Sequence, residues 1–95
     1  MMTEHSLKTA QPYWDAVANG KKKFEIRLNN RGFKRGDTLL LRKVFADQPS
    51  VYIGRDGPTN TEEEAFTVSA RIDFILTGGQ FGIEPGYIVM SITRL

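Results

Sequence analysis

The chain has 95 residues, 40% of them hydrophobic and 25% charged, with a net charge of +2. That size allows one domain with one modest core, and the composition excludes a disordered chain. The absence of cysteine excludes disulfides, thiolate metal sites and a cysteine nucleophile, and no apolar run approaches the roughly 20 residues of a membrane span.

The opening MMTEHSLK has no apolar core of the signal-peptide kind, so a cytoplasmic protein is expected. "HSLKT" (5–9) reads as a first strand with Leu7 buried. Pro12 suits the first turn of a helix over about 12–19, because its missing N–H has no intrahelical partner there. Tyr13, Trp14 and Val17 fall to one side of that helix, and Gly20 is its natural C′ residue. Trp14 is expected in the core, whereas Tyr13, with its polar tip, fits core or cleft.

"FEIRLN" (24–29) alternates with the period of a half-buried strand. Phe24, Ile26 and Leu28 face one way, and Glu25, Arg27 and Asn29 the other. "NNRGFKRGD" is turn-competent, with Phe33 covering a cleft or pinning the turn. "TLLLRKVF" (38–45) is a strong strand. A mobile surface loop is expected at about 54–65. "FTVSARIDFIL" (66–76) is a long strand with Val68, Ala70, Ile72, Phe74 and Leu76 on one face. "TGGQFGIEPG" is a glycine-rich connection, and "YIVMSITRL" (87–95) is the last strand, with Tyr87 at its start. One short helix among five or six strands, without βαβ rhythm, predicts an α+β, mainly β domain over 1–95, closed as a small barrel or curled sheet.

The net charge hides an asymmetry. Residues 21–35 hold seven Lys or Arg and one acid, Glu25, so they carry +6 and leave −4 for the remainder. Local positive charge attracts phosphates better than a diffuse excess does. Alternation puts Glu25 and Arg27 on one face, within reach of Lys22 or Lys23, and Asn29 extends the row. Two readings are open: a structural ion pair on a sheet surface, or a cleft that takes a ligand. In the second, Lys22 and Arg27 hold a phosphate. Glu25, held ionised among cations and so a poor general acid, accepts from a base amino group. Lys23, Arg31 and Tyr13 complete the contacts. Lys21, Lys34 and Arg35 form a rim of sequence-independent attraction.

His5 is the only histidine, without the partners a metal site requires, and no cofactor or metal is expected. The serines lack a nucleophile-elbow context. Gly78, Gly79 and Gly82 lack the strand–glycine–helix setting of a phosphate loop and read as turn glycines.

Taken together, "HSLKT", "PYWDAVANGKKKFEIRLNNRGFKRGDTLLLRK" and "ILTGGQFGIEPGYIVMSI" resemble the ASCH domains of the PUA-like superfamily, most closely a small subfamily with a GKKxFEIRxNxRxFxxGD core. The resemblance omits only the loop around 47–64. It implies a PUA-like pseudo-barrel, a cleft lined by "GKKKFEIR" beside the helix, and RNA or a nucleotide as partner. Some ASCH proteins are described as ribonucleases, and others are amidohydrolases acting on N4-acylated cytidines. In the amidohydrolases the matching block supplies a lysine, corresponding to Lys22, and a threonine nucleophile at the position Glu25 occupies here. Their further carboxylate lies in a helical insertion, where this chain has only "TGGQFGIEPG". The resemblance therefore does not carry that chemistry across. The expected function is an RNA- or nucleotide-binding module. The alternatives are a hydrolase using Lys22 and Glu25, and a module docking an acidic protein.

Overall fold

A computed structural model describes residues 2–95. The elements are β1 (Glu4–Ala10), α1 (Gln11–Ala18), β2 (Phe24–Leu28), β3 (Thr38–Val44), β4 (Tyr52–Gly54), β5 (Gly57–Thr59), a 3₁₀ turn (Glu62–Glu64), β6 (Thr67–Thr77) and β7 (Tyr87–Arg94). The strands form one curled, half-barrel sheet in the order β2-β7-β6-β3-β4-β5, with β1 on the other side of β3. The domain is α+β and mainly β, as expected. The count beyond the expected five or six comes from the three-residue strands β4 and β5. The 54–65 segment, expected as a mobile loop, holds the turn and second strand of the β4–β5 hairpin and the 3₁₀ turn. A Cβ on Gly54 would lie 2.3 Å from the Glu64 carbonyl oxygen, so only glycine lets that turn pack against the hairpin.

β3 is central and strongly apolar, with Leu39 and Leu41 fully buried between β1 and β6. β1 runs parallel to β3 and β6 antiparallel. A parallel pair cannot be joined by a tight hairpin and needs a long crossover. Here the crossover contains α1 and β2, which leaves β1 and β2 at separate free edges of the curled sheet. The main core gathers Leu7, Val17, Leu39, Leu41, Ile72 and Met90, among others. Trp14 packs against it and donates its indole N–H to the Leu41 carbonyl (2.9 Å). Lys43 pairs with Asp15 at 2.8 Å and lies over the Trp14 ring, which ties α1 to β3.

The facing of β2, left open by its alternation, is decided, and one expectation about β6 is corrected. Phe24, Ile26 and Leu28 are exposed, and it is the polar side of β2 that turns inward. In β6, a bulge at Asp73 separates the pairs Ile72–Ile92 and Phe74–Ser91. The extra residue reverses the side-chain phase. Phe74 is thereby turned out, at 58% exposure, and Ile75 packs against the core instead.

The turn before β3 is pinned from within. Asp37 is 3% exposed and accepts hydrogen bonds from His5 Nε2 (2.9 Å) and from the backbone N–H groups of Thr3 and Lys34 (3.1 Å each). The His5 ring also packs on Phe33, 4.7 Å between centroids. His5 thus holds the turn, and Phe33 is buried there rather than covering a cleft. Burial pushes the Asp37 carboxyl up, but the bonds from His5, Thr3 and Lys34 outweigh it and hold the group below its ordinary value. On acidification the unfolded chain therefore takes up this proton first. The contribution of Asp37 is complete near neutrality and drains as pH falls below about 4. Asp37→Asn should be less stable than wild type at pH 7, and the gap should narrow between pH 5 and pH 2. Urea unfolding across that series measures it, and a gap constant with pH would contradict the assignment.

Candidate ligand cleft at the open seam

The crossover delivers β2 beside β1 without pairing the two strands. Residues Gly20 to Lys23 set the geometry. Gly20 has φ +82°, the left-handed conformation that ends a helix, and its Cβ position is otherwise open. Backbone conformation, not space, requires glycine there. The Lys22 N–H then returns to the Ala16 carbonyl (2.9 Å), which fixes the lysine against the end of α1.

A cleft of about 410 Å³ occupies the seam. One wall is Lys8, Thr9 and Ala10 of β1, and the other is Phe24 to Arg27 of β2, with Tyr13 and Lys22 at the helix side. At its floor Glu25 is 4% exposed. Lys22 Nζ donates to Glu25 Oε2 at 2.5 Å and to the Phe24 carbonyl at 2.6 Å. Arg27 Nη2 donates to Glu25 Oε1 (3.3 Å) and, across the seam, to Thr9 Oγ1 (3.0 Å). A carboxylate offers about four acceptor directions, so each oxygen of Glu25 keeps capacity for a further donor. The Lys22 ammonium also lies 4.8 Å from the Phe24 ring centroid and 5.9 Å from that of Tyr13. Tyr13 is 59% exposed. It does not share the buried side of α1 with Val17; it faces the cleft.

The residues singled out from sequence therefore separate. Lys22, Glu25, Arg27 and Tyr13 come together. Lys23 lines no part of the cleft and borders a separate pocket with Val17, Ile92 and Arg94. Asn29 is exposed at the end of β2, its N–H bonded to the Gly86 carbonyl, and lines no part of the cleft. Arg31 reaches the Ser6 carbonyl (3.1 Å), at a second pocket beside the cleft. Lys21 and Lys34 are exposed outside it, and Arg35 is bound to the Asp73 carbonyl (3.0 Å) at the β6 bulge. These three form no rim around the cleft. Tyr87 lies outside it on β7. Sequence reasoning missed Lys8 and Thr9; the strict alternation of β1, with Thr9 on the side of Leu7, was the available signal. Among the described residues no three His, Cys, Asp or Glu groups gather as a metal site, and no helix is long and apolar enough to cross a membrane.

The family model described as a domain of unknown function, DUF3850, matches residues 4–92. The chain belongs to that family. A DUF3850 chain of this kind is also similar to an uncharacterized 12.9 kDa protein in the GpA 3′ region of Escherichia phage P2, with 44% identity over 39 residues. The match covers 41% of this chain and 36% of the phage protein.

Removing Lys22 leaves Glu25 nearly buried with one partner at 3.3 Å. Breaking such a cluster from one side is expensive, moderated here because Arg27 remains; Lys22→Met should lose about 2 kcal/mol of stability. Lys23→Met, at an exposed position outside the cleft, should stay within about 0.5 kcal/mol of wild type. Urea unfolding of the two variants makes the comparison, and equal losses would show that Lys22 is not specifically engaged.

Proposed function

We propose that the seam cleft binds a nucleotide unit, free or within single-stranded RNA, and that Glu25 reads the base. The observation that carries this reading is a nearly buried carboxylate at the floor of a cleft that also presents the rings of Tyr13 and Phe24. Glu25 is fixed by two cations rather than by its own flexible stem, so its remaining acceptor directions are preorganised. Acidic side chains accept from exocyclic amino groups such as cytosine N4. Tyr13 and Phe24 flank the carboxylate, and aromatic rings there suit stacking on an unpaired base. The volume of about 410 Å³ lies within the range of small-ligand sites. The resemblance to ASCH domains of the PUA-like superfamily supports the same partner class.

Hydrolysis has less support. Lys22 donates to both Glu25 and the Phe24 carbonyl, so its ammonium serves as a clamp, and the threonine position of the hydrolytic relatives is Glu25. An acidic protein partner has no specific observation in its favour, because the seven basic residues of 21–35 do not form one face.

Calorimetric titration with single-base oligoribonucleotides and with the four nucleosides tests the reading. Amino-bearing bases should bind more tightly than uracil, and Glu25→Gln should redistribute preference among bases more than it lowers affinity overall. Tyr13→Ala should weaken binding by about 1–3 kcal/mol, the worth of one stacked base. No binding by the wild type, or equal loss for every base in Glu25→Gln, would reject it. Product formation from short RNAs or acylcytidines, abolished by Lys22→Ala and Glu25→Ala, would move the protein to the hydrolases.

A further inference from the structure

The two cations at the floor of the cleft already face Glu25, which leaves open what would hold the charged part of a nucleotide. Beside the cleft lies a second pocket of about 450 Å³, lined among others by Ser6, Lys8, Arg27, Arg31, Arg42 and Glu62. Lys8 and Arg27 border both cavities, so the two adjoin along the seam.

The second pocket differs from the first in how its charges are held. Arg42 Nε donates to Ser6 Oγ (2.9 Å) and its Nη1 to the Glu62 carbonyl (2.7 Å), and Arg31 Nη1 donates to the Ser6 carbonyl (3.1 Å). Lys8 lies over the Tyr52 ring, 5.5 Å from its centroid. All of these acceptors are neutral. Among the described residues no ion pair joins Lys8, Arg31 or Arg42 to a carboxylate. The one acidic side chain at the pocket, Glu62, has its Oε2 3.4 Å from the Tyr52 hydroxyl. Three cationic groups are thus oriented without a directly paired carboxylate, and both guanidinium groups keep N–H donors unused. Oriented guanidinium forks are suited to phosphate oxygens.

We infer that this pocket is a phosphate subsite formed by Lys8, Arg31 and Arg42, so that the ligand of the adjoining cleft is a phosphorylated nucleoside rather than a nucleoside. This rests on the nucleotide reading above and adds to it: the base contacts Glu25, the sugar crosses Arg27 and Lys8, and the phosphate meets the two arginines. The phosphate is either the monoester of a free nucleotide or a diester of an RNA chain.

Titration with each nucleoside, its 5′- and 3′-monophosphates and the corresponding dinucleoside monophosphate tests it. A monophosphate should bind about tenfold or more tightly than its nucleoside, as charge-assisted bonds predict. Arg31→Gln and Arg42→Gln should each shrink that gap while leaving nucleoside affinity within about twofold of wild type. Arg42→Lys, which keeps the charge, should retain part of the gap and guards against a loss that reflects the Ser6 and Glu62 contacts alone. A dinucleoside monophosphate gaining as much as the monoester would assign the phosphate to RNA, and a smaller gain to a free nucleotide. Nucleosides binding as tightly as their monophosphates, or a gap unchanged in both arginine variants, would overturn the subsite while leaving the cleft assignment standing. No binding by any of these ligands would overturn both.

Discussion

A carboxylate with 4% exposure governs the cleft side of this molecule. Burying a charge is unfavourable by several kcal/mol unless opposite charges and hydrogen bonds accompany it. Glu25 therefore needs Lys22, held against the end of α1, and Arg27, which β2 brings to the same side by turning its polar face inward. The apolar side is left outside, which explains why Phe24, Ile26 and Leu28 are exposed despite a pattern that suits a core. Register places them beside Ser91, Val89 and Tyr87 of β7, with Phe74 and Leu76 of β6 beyond. The outward row thus continues over three neighbouring strands, so the inversion of β2 is part of a larger apolar face. A strand with its hydrophobic side outward gains little from burial. What holds β2 is its ladder with β7 and the ion cluster behind it.

The second constraint is the open seam. Free strand edges carry unpaired N–H and C=O groups and invite unwanted pairing. Here β1 and β2 approach, but side chains make the contacts between them. Arg27 reaches Thr9, and just past the end of β2 Arg31 reaches the Ser6 carbonyl. Side-chain bridges are longer than backbone ladder bonds, so they leave a gap, and that gap is the cleft. A fully paired barrel would have removed it. The crossover between β1 and β3 is what makes the gap possible, because it places the first two strands of the chain on opposite free edges.

Period-two alternation was enough to place Glu25 and Arg27 on a common face, but it left Lys22 and Lys23 equal candidates to reach them, and the fold selects Lys22. Alternation cannot say which face is inside when the polar residues compensate one another's charge, and β2 is such a strand. The β6 bulge was equally hidden, because Val68 to Leu76 read as one uninterrupted apolar row and nothing in "RIDF" announces an inserted residue. His5 was legible only as a histidine without metal partners. Its role depends on Asp37, 32 residues away, and pairs at that separation emerge only when β1 joins β3. The same holds for Lys8 and Arg42, which come from unremarkable stretches of two strands.

The basic run of 21–35 also has a different meaning once folded. Its charge is dispersed: Lys22 and Arg27 pair with Glu25, Arg35 secures the β6 bulge at a distance, Arg31 joins residues from elsewhere in the chain, and Lys21, Lys23 and Lys34 stay exposed outside the cleft. The uncompensated charge beside the cleft therefore arises from strand pairing more than from the run itself. Lys8 and Arg42 are register partners across the parallel β1–β3 pair, and Ser6 lies on the same side of β1 as Lys8, two residues earlier. A slip of one residue in β1 would send Lys8 and Ser6 to the core face and bring Leu7 out. That register is held by Leu7 in the core and by His5 on Asp37, both on the opposite side of the strand. The inward alternation of β1 thus fixes the position of the charges on its outward side, and the core specifies the electrostatics of the seam.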